Sequence, residues 1–198
     1  MSSTEISIIR DFSESGARLR TAFFEAHLED VARAARAVAD RLSRGGKVLF
    51  CGNGGSAADC QHLAAEFVSK FQMDRPPLPA VALTTDTSVL TAVGNDFGFE
   101  EIFARQIGAL AGQKDVVVGI STSGSSPNVL RALEAAAHAG AYRIGLTGSW
   151  GGDMVKNSDI VFQVPSDVTA LIQEIHIALG HMLCRLADHY LFEAKDAE

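Results

Sequence analysis

His62 and Glu66 stand four residues apart in the stretch Asp59-Cys60-Gln61-His62-Leu63-Ala64-Ala65-Glu66-Phe67. If that stretch is helical, both side chains leave one face and can converge on a single atom. Gln173, His176 and His181 fall on a second apolar stretch near the end of the chain. On a helix Gln173 and His181 would lie roughly 12 Å apart along the axis, so a shared ligand near Ile177 would strain both side chains. Three readings fit this set. His62, Glu66, Gln173 and His181 would make a nitrogen and oxygen cage for zinc or another divalent ion. Glu66 and His181 would instead suit proton transfer beside a carbonyl, which needs only two groups within hydrogen-bond reach. A histidine on an apolar helix is also often a hydrogen-bonded core residue. Spacing leaves all three open. His27, His138 and His189 offer nothing beyond surface positions.

Two loops add a ligand class. Gly52-Asn53-Gly54-Gly55-Ser56 follows a short apolar run and leads into Ala57. It matches the dinucleotide pattern G-x-G-x-x-A, but the next apolar run is followed first by Asp86, far beyond the ~20 positions at which a ribose-binding acid belongs. A tight turn without a ligand is the plain alternative. The second loop is Ser121-Thr122-Ser123-Gly124-Ser125-Ser126-Pro127-Asn128. Pro127 suits the first position of a helix, which makes Ser126 its N-cap. Hydroxyl donors then crowd a helix N-terminus whose free N–H groups and dipole favour an anion. No G-x-x-x-x-G-K-[ST] is present, so a nucleotide on a P-loop is excluded. A small phosphorylated ligand remains, with a sugar phosphate the most natural.

The elements that must position these residues follow from hydrophobic period. Residues 5–44 are nearly free of Gly and Pro, and Leu28, Val31, Ala35, Val38 and Leu42 recur at helical steps up to Gly45-Gly46. Apolar runs at Lys47–Cys51, Ala80–Leu83, Asp115–Ile120 and Tyr142–Thr147, with a weaker one at Asp159–Val164, read as buried strands. Helical patterns at about 57–71, 99–110 and 127–139 separate them, and a last helix spans about 167–193. Strands alternating with helices predict one α/β domain over residues 1–198, with a mostly parallel five-stranded sheet flanked by helices. In such sheets ligands gather beyond the carboxyl ends of the strands, where both loops fall. The long N- and C-terminal helices exceed what covers five strands, which suits either subunit packing or a helix lying across the domain's own core.

Composition removes other classes. The chain has 198 residues, 47% hydrophobic and 21% charged, with a net charge of −7, so neither disorder nor a grip on nucleic acid fits. Cys51, Cys60 and Cys184 are an odd, widely spaced set that reads as reduced buried thiols. The N-terminus lacks a signal-peptide pattern, and no run reaches the ~20 apolar residues of a membrane span. The expected setting is the cytoplasm.

The segments FCGNGGSAADCQHLAAEF, RPPLPAVAL, TAVGNDFGFEEIF, GISTSGSSPNVL and IQEIHIALGH together resemble the sugar isomerase (SIS) domain family, and within it the phosphoheptose isomerases, over nearly the whole chain. The resemblance implies an isomerase acting on sedoheptulose 7-phosphate to give D-glycero-D-manno-heptose 7-phosphate through a cis-enediol. That is the first step toward the ADP- or GDP-heptose of bacterial cell-surface polysaccharides such as lipopolysaccharide. It implies a homotetramer with active sites between subunits. It also implies zinc at His62, Glu66, Gln173 and His181, and Glu66 as base with His181 as partner. Asn53, Gly54, Gly55 and Ser56 would line the sugar phosphate, Ser121, Thr122, Ser123 and Ser126 would hold phosphate, and Asn95 and Asp96 would take sugar hydroxyls, with Gln173 and Glu66 also at the substrate. Lys70 departs from the Arg that these isomerases tend to carry. A non-catalytic SIS protein that binds the bacterial replication initiator is similar too, but its match to His181 is Asn and its serine loop is less complete. An SIS sensor domain of a transcription regulator is disfavoured because no DNA-binding segment remains outside the domain.

Overall fold

A computed structural model describes residues 3–193. Five strands, β1 (Val48–Gly52), β2 (Ala80–Ala82), β3 (Val116–Ser121), β4 (Tyr142–Thr147) and β5 (Ile160–Gln163), form one parallel sheet in the order β2-β1-β3-β4-β5. The order reverses between β1 and β3, so their carboxyl ends open a crevice where the two glycine- and serine-rich loops emerge. β1 and β3 are buried along their whole length, as a strand covered on both faces must be.

Alternate residues of each strand feed opposite layers. Val48, Phe50, Val116 and Val118 join α1 (Ser3–Ser43), α2 (Gly55–Val68) and α7 (Thr169–Asp188) in one core. Leu49, Cys51 and Val117 join α4 (Ala104–Leu110) and α5 (Pro127–His138) in the other. Two short helices complete the chain: α3 (Thr87–Asp96), followed by a 3-10 turn at Phe99–Glu101, and α6 (Met154–Asn157). All three cysteines are free and buried, and burial pushes the Cys51 thiol up to about 12.

Two elements depart from the sequence reading. α1 is broken at His27 (φ −124°, ψ 16°), whose ring stacks on Phe23 at 4.5 Å and whose Nδ1 lies 2.8 Å from the Phe23 carbonyl. His27 is therefore half-buried rather than a plain surface residue, and the break swings Leu28 off the buried stripe to 67% exposure. Val31, Ala35, Val38 and Leu42 keep their buried face, while Ile8, Ile9 and Phe12 in the first half of α1 stay exposed. The helix expected at 99–110 begins only at Ala104, and α3 precedes it unforeseen. Its β-branched Thr87, Val89, Thr91 and Val93 are weak helix formers, and Asp86 initiates it by accepting from Val89 N–H at 3.0 Å. Among the described residues no helix is long and apolar enough to cross a membrane.

Candidate active site

The serine loop leaves β3 and turns into α5. Gly124 takes φ 67° against the Gly151 carbonyl, where a Cβ has no room, so only glycine closes this turn. Ser121, buried at the strand end, points its hydroxyl at those of Ser126 (2.9 Å) and Ser123 (3.3 Å). Ser126 does occupy the N-cap position before Pro127, but its hydroxyl makes no capping bond and turns to Ser121 instead. The first turn of α5 is thus uncapped by any side chain, and three hydroxyls gather beside it. α2 likewise starts at Gly54 (φ 55°) with no side-chain cap. Two helix N-termini therefore keep first-turn N–H groups for an anion. The Thr122 carbonyl accepts from Gly148 N–H at 3.0 Å, which ties the serine loop to the end of β4.

Asn53 and Asn128 join the two loops through a pair of amide hydrogen bonds of 2.9 and 2.8 Å. Asn53, Ser126, Asn128 and Phe99 border one hollow at this edge of the sheet. Asn95 and Asp96 do not border that hollow; they are exposed at the end of α3, where Asn95 Nδ2 donates to Asp96 Oδ1 at 2.8 Å.

α2 and α7 run alongside each other and carry the titratable group. Two contacts set their separation. The Gln173 amide lies against Gly55, where a Cβ would stand 2.6 Å from Nε2, and Gly180 packs directly on Leu63. Without side chains at Gly55 and Gly180, α7 comes close enough for His181 to reach α2. His181 Nε2 lies 3.0 Å from His62 Nε2, and His62 Nε2 lies 3.2 Å from Glu66 Oε1. One ligand atom from each of the three falls within 4.8 Å of the others. Two imidazole nitrogens and a carboxylate oxygen meeting this closely are the donor set of a zinc site, so these residues fit such an ion. Gln173 sits at the loop end of α2, roughly 10 Å along the helix from His62.

Phe71 stacks on His181 with ring centroids 5.4 Å apart. Burial first, then the neighbouring His62 and Arg20, lower the His181 pKa, against an opposing pull from Glu66. Its imidazole is therefore neutral at neutral pH, the form that both ligates metal and exchanges protons. Asp59, one turn before His62, has its carboxyl raised by burial and partly restored by His62.

His176 belongs to the core. It is fully buried, Nε2–H donates to the Thr147 carbonyl at 3.2 Å, and Nδ1 has no partner. Burial lowers its pKa from 6.5 to about 4. Between those values the unfolded chain binds the proton and the folded chain does not, so stability falls as pH drops. The contribution is complete above about 6.5 and is lost toward about 4, a total of about 3 kcal/mol. His176→Gln keeps a donor for Thr147 and removes the titration. Urea unfolding at neutral and acid pH is expected to show a shallower acid loss in that variant, and an unaltered slope would refute the assignment.

Sequence reasoning missed Asn128, Arg75 and Phe71. Asn128 had a signal in its place just inside α5, but its partner is set by the neighbouring of β1 and β3, not by spacing. A family model described as SIS domain matches residues 11–148. A phosphoheptose isomerase of Solidesulfovibrio magneticus is 59% identical over 98% of this chain and 95% of its own length. The structure of a phosphoheptose isomerase from Francisella tularensis superposes with a TM-score of 0.90 at 41% identity, covering 96% of this chain and 100% of that one. One from Neisseria gonorrhoeae gives 0.86 at 43% identity, covering 94% and 99%.

Proposed function

The chain belongs to the SIS domain family and, within it, to the phosphoheptose isomerases, and we propose that it interconverts sedoheptulose 7-phosphate and D-glycero-D-manno-heptose 7-phosphate. It is an isomerase acting on a sugar phosphate. The observation that carries the mechanism is the meeting of Glu66 and His181 around His62, brought from two helices to one point. The Glu66 carboxylate takes the proton from the carbon beside the carbonyl, and the carbonyl oxygen gains a proton from His181, giving a cis-enediol. The proton returns to the former carbonyl carbon while the hydroxyl on the carbon that first lost its proton gives up its own and becomes the new carbonyl, so aldose and ketose exchange without any external oxidant.

Ser121, Thr122, Ser123 and Ser126 hold the phosphate, and Asn53, Gly54, Gly55 and Ser56 line the sugar phosphate with Gln173. Asn95 and Asp96, which precede the Phe99 rim in the chain, take sugar hydroxyls. His62, Glu66 and His181 would hold one zinc ion per subunit, while Gln173, set against Gly55 at the loop end of α2, stands too far away to serve as the fourth donor the sequence suggested. Bound there, zinc would supply Lewis-acid stabilisation of negative charge on the sugar oxygens. The exposed Ile8, Ile9 and Phe12 of α1 support assembly as a homotetramer with active sites between subunits. The product would feed ADP- or GDP-heptose synthesis in the cytoplasm.

The deciding assay follows isomerisation of sedoheptulose 7-phosphate by the protein as purified, after chelation, and with zinc restored. Turnover lost on chelation and regained with zinc supports enzyme and metal together. Turnover indifferent to chelation keeps the enzyme and removes the zinc. No turnover from a folded tetramer would overturn the reading in favour of a non-catalytic protein that binds the replication initiator. A second test concerns the phosphate. Ser121→Ala with Ser123→Ala removes two hydroxyl donors to an anion, each worth about 1.5 kcal/mol or more. Affinity for sedoheptulose 7-phosphate is expected to fall on the order of 10²-fold. Calorimetric titration measures it, and an unchanged affinity would take the loop out of the site.

A further inference from the structure

β1 and β3 pair with Gly52 beside Ile120, so the residues that follow each strand emerge together at the carboxyl edge. Asn53 follows β1, and Asn128 comes one residue after Pro127 in the first turn of α5. Asn53 Nδ2 donates to Asn128 Oδ1 at 2.9 Å, and Asn128 Nδ2 donates to Asn53 Oδ1 at 2.8 Å. Asn128 is buried (2% exposed), whereas Asn53 is half-exposed and borders the hollow beside Ser126.

A primary amide has two N–H donors and two acceptor lone pairs. The clasp uses one of each on Asn53 and leaves one of each for a ligand. The torsion of a free terminal amide is broad and roughly two-fold, so an unheld Asn53 would present donor and acceptor in many directions. Held both ways, its plane is fixed, and it cannot turn over unless Asn128 turns with it.

We propose that Asn128 is a positioning residue for the isomerase site, acting through the Asn53 amide to present one donor and one acceptor to the hydroxyls of the bound sugar phosphate. This rests on the assignment of Asn53 to substrate binding above. Asn128 borders the same hollow but is 2% exposed, with its amide committed to Asn53, so its effect belongs to substrate affinity and passes through its partner.

Asn128→Asp tests this with almost no change of shape. As a carboxylate it still accepts from Asn53 Nδ2 but sets a second oxygen against Asn53 Oδ1 with no proton between them. Protonated, it donates its O–H to Asn53 Oδ1, and the two-way clasp re-forms. Burial raises the pKa of such a carboxyl, which brings the change within reach of the assay. At neutral and alkaline pH, KM for sedoheptulose 7-phosphate is expected to rise about tenfold over wild type, with kcat little altered. As pH falls the KM ratio of variant to wild type should return toward one. Glu100 is the titratable side chain bordering the same hollow, and because both proteins carry it the ratio cancels its titration. Asn128→Leu should show the loss without the acid recovery.

A cycle with Asn53→Ala supplies the second measurement. With Asn53 shortened, changing Asn128 should weaken affinity no further. If Asn128→Asp folds poorly, Asn128→Ser completes the same cycle. A KM ratio that stays flat with pH, or losses that add across the cycle, would overturn the proposal. A wild type without turnover overturns the functional reading and this inference together, whereas an active wild type matched at every pH by Asn128→Asp overturns the inference alone.

Discussion

Glu66→Gln is expected to lower turnover of sedoheptulose 7-phosphate by about 10²–10⁴-fold while leaving the fold and the oligomer intact. Glutamine keeps the length of the side chain and can still hydrogen-bond His62, which now sits 3.2 Å from Glu66 Oε1. What it lacks is a basic oxygen. Without one, no proton leaves the carbon beside the carbonyl, and the enediol does not form. Stability should change little, because the Glu66 side chain is a quarter exposed and glutamine keeps a hydrogen-bonding atom toward His62. Solvent deuterium gives the sharper readout, since a working base exchanges that carbon-bound proton even when product is not released. The variant should lose exchange and turnover together. Retention of most activity, or exchange without isomerisation, would move the base to another residue.

Much of this site is legible in the sequence because its parts are local. The pairing of His62 with Glu66 follows from helical period alone, and the crowd of hydroxyls before Pro127 is a property of eight consecutive residues. β4 runs from Tyr142 to Thr147 as its apolar run predicts, because Ile144 to Thr147 are buried and only Tyr142 and Arg143 at its start are half-exposed. What is hidden depends on contacts across the fold. The approach of His181 to His62 spans 119 residues and exists because Gly180 and Gly55 carry no side chain where α7 meets α2. Spacing on α7 suggests a strained convergence of Gln173 with His181. The structure instead divides the two between the loop end of α2 and the histidine group. The pairing of Asn53 with Asn128 depends on β1 lying beside β3, a fact of sheet order that no local pattern states. α3 was concealed for the opposite reason. Its capping Asp86 is visible, but its β-branched residues speak against a helix, which is anchored against the core only by partly buried Leu90 and Val93.

Arg75 explains how the last turn of α2 is held, and its loss is the largest stability effect expected. Its guanidinium is 1% exposed and bonds Asp188 Oδ1 at 2.8 Å, against a carboxylate 2% exposed. It also donates to the Glu66 carbonyl at 2.9 Å and the Phe67 carbonyl at 2.7 Å. Those carbonyls are among the last four of α2, which have no partner within the helix, so Arg75 caps the turn that carries Glu66. Asp188, at the end of α7, in turn ties that cap to the helix that carries His181. Arg75→Met keeps the apolar stem and removes the charge. Asp188 is then buried unpaired, with Oδ2 already lacking a partner, and the Glu66 carbonyl loses the Arg75 donor, while the Phe67 carbonyl keeps only Leu78 N–H at 3.0 Å. Breaking a buried pair in this way costs about 3–5 kcal/mol. Denaturant unfolding should show that loss, while Arg75→Met combined with Asp188→Leu should recover a substantial part of it. Recovery of stability is not expected to restore turnover, because the double variant still lacks the Arg75 donors to the Glu66 and Phe67 carbonyls that fix Glu66 against His62. A single variant as stable as wild type would refute the buried pair. A double variant with full activity would show that α2 holds Glu66 in place without Arg75.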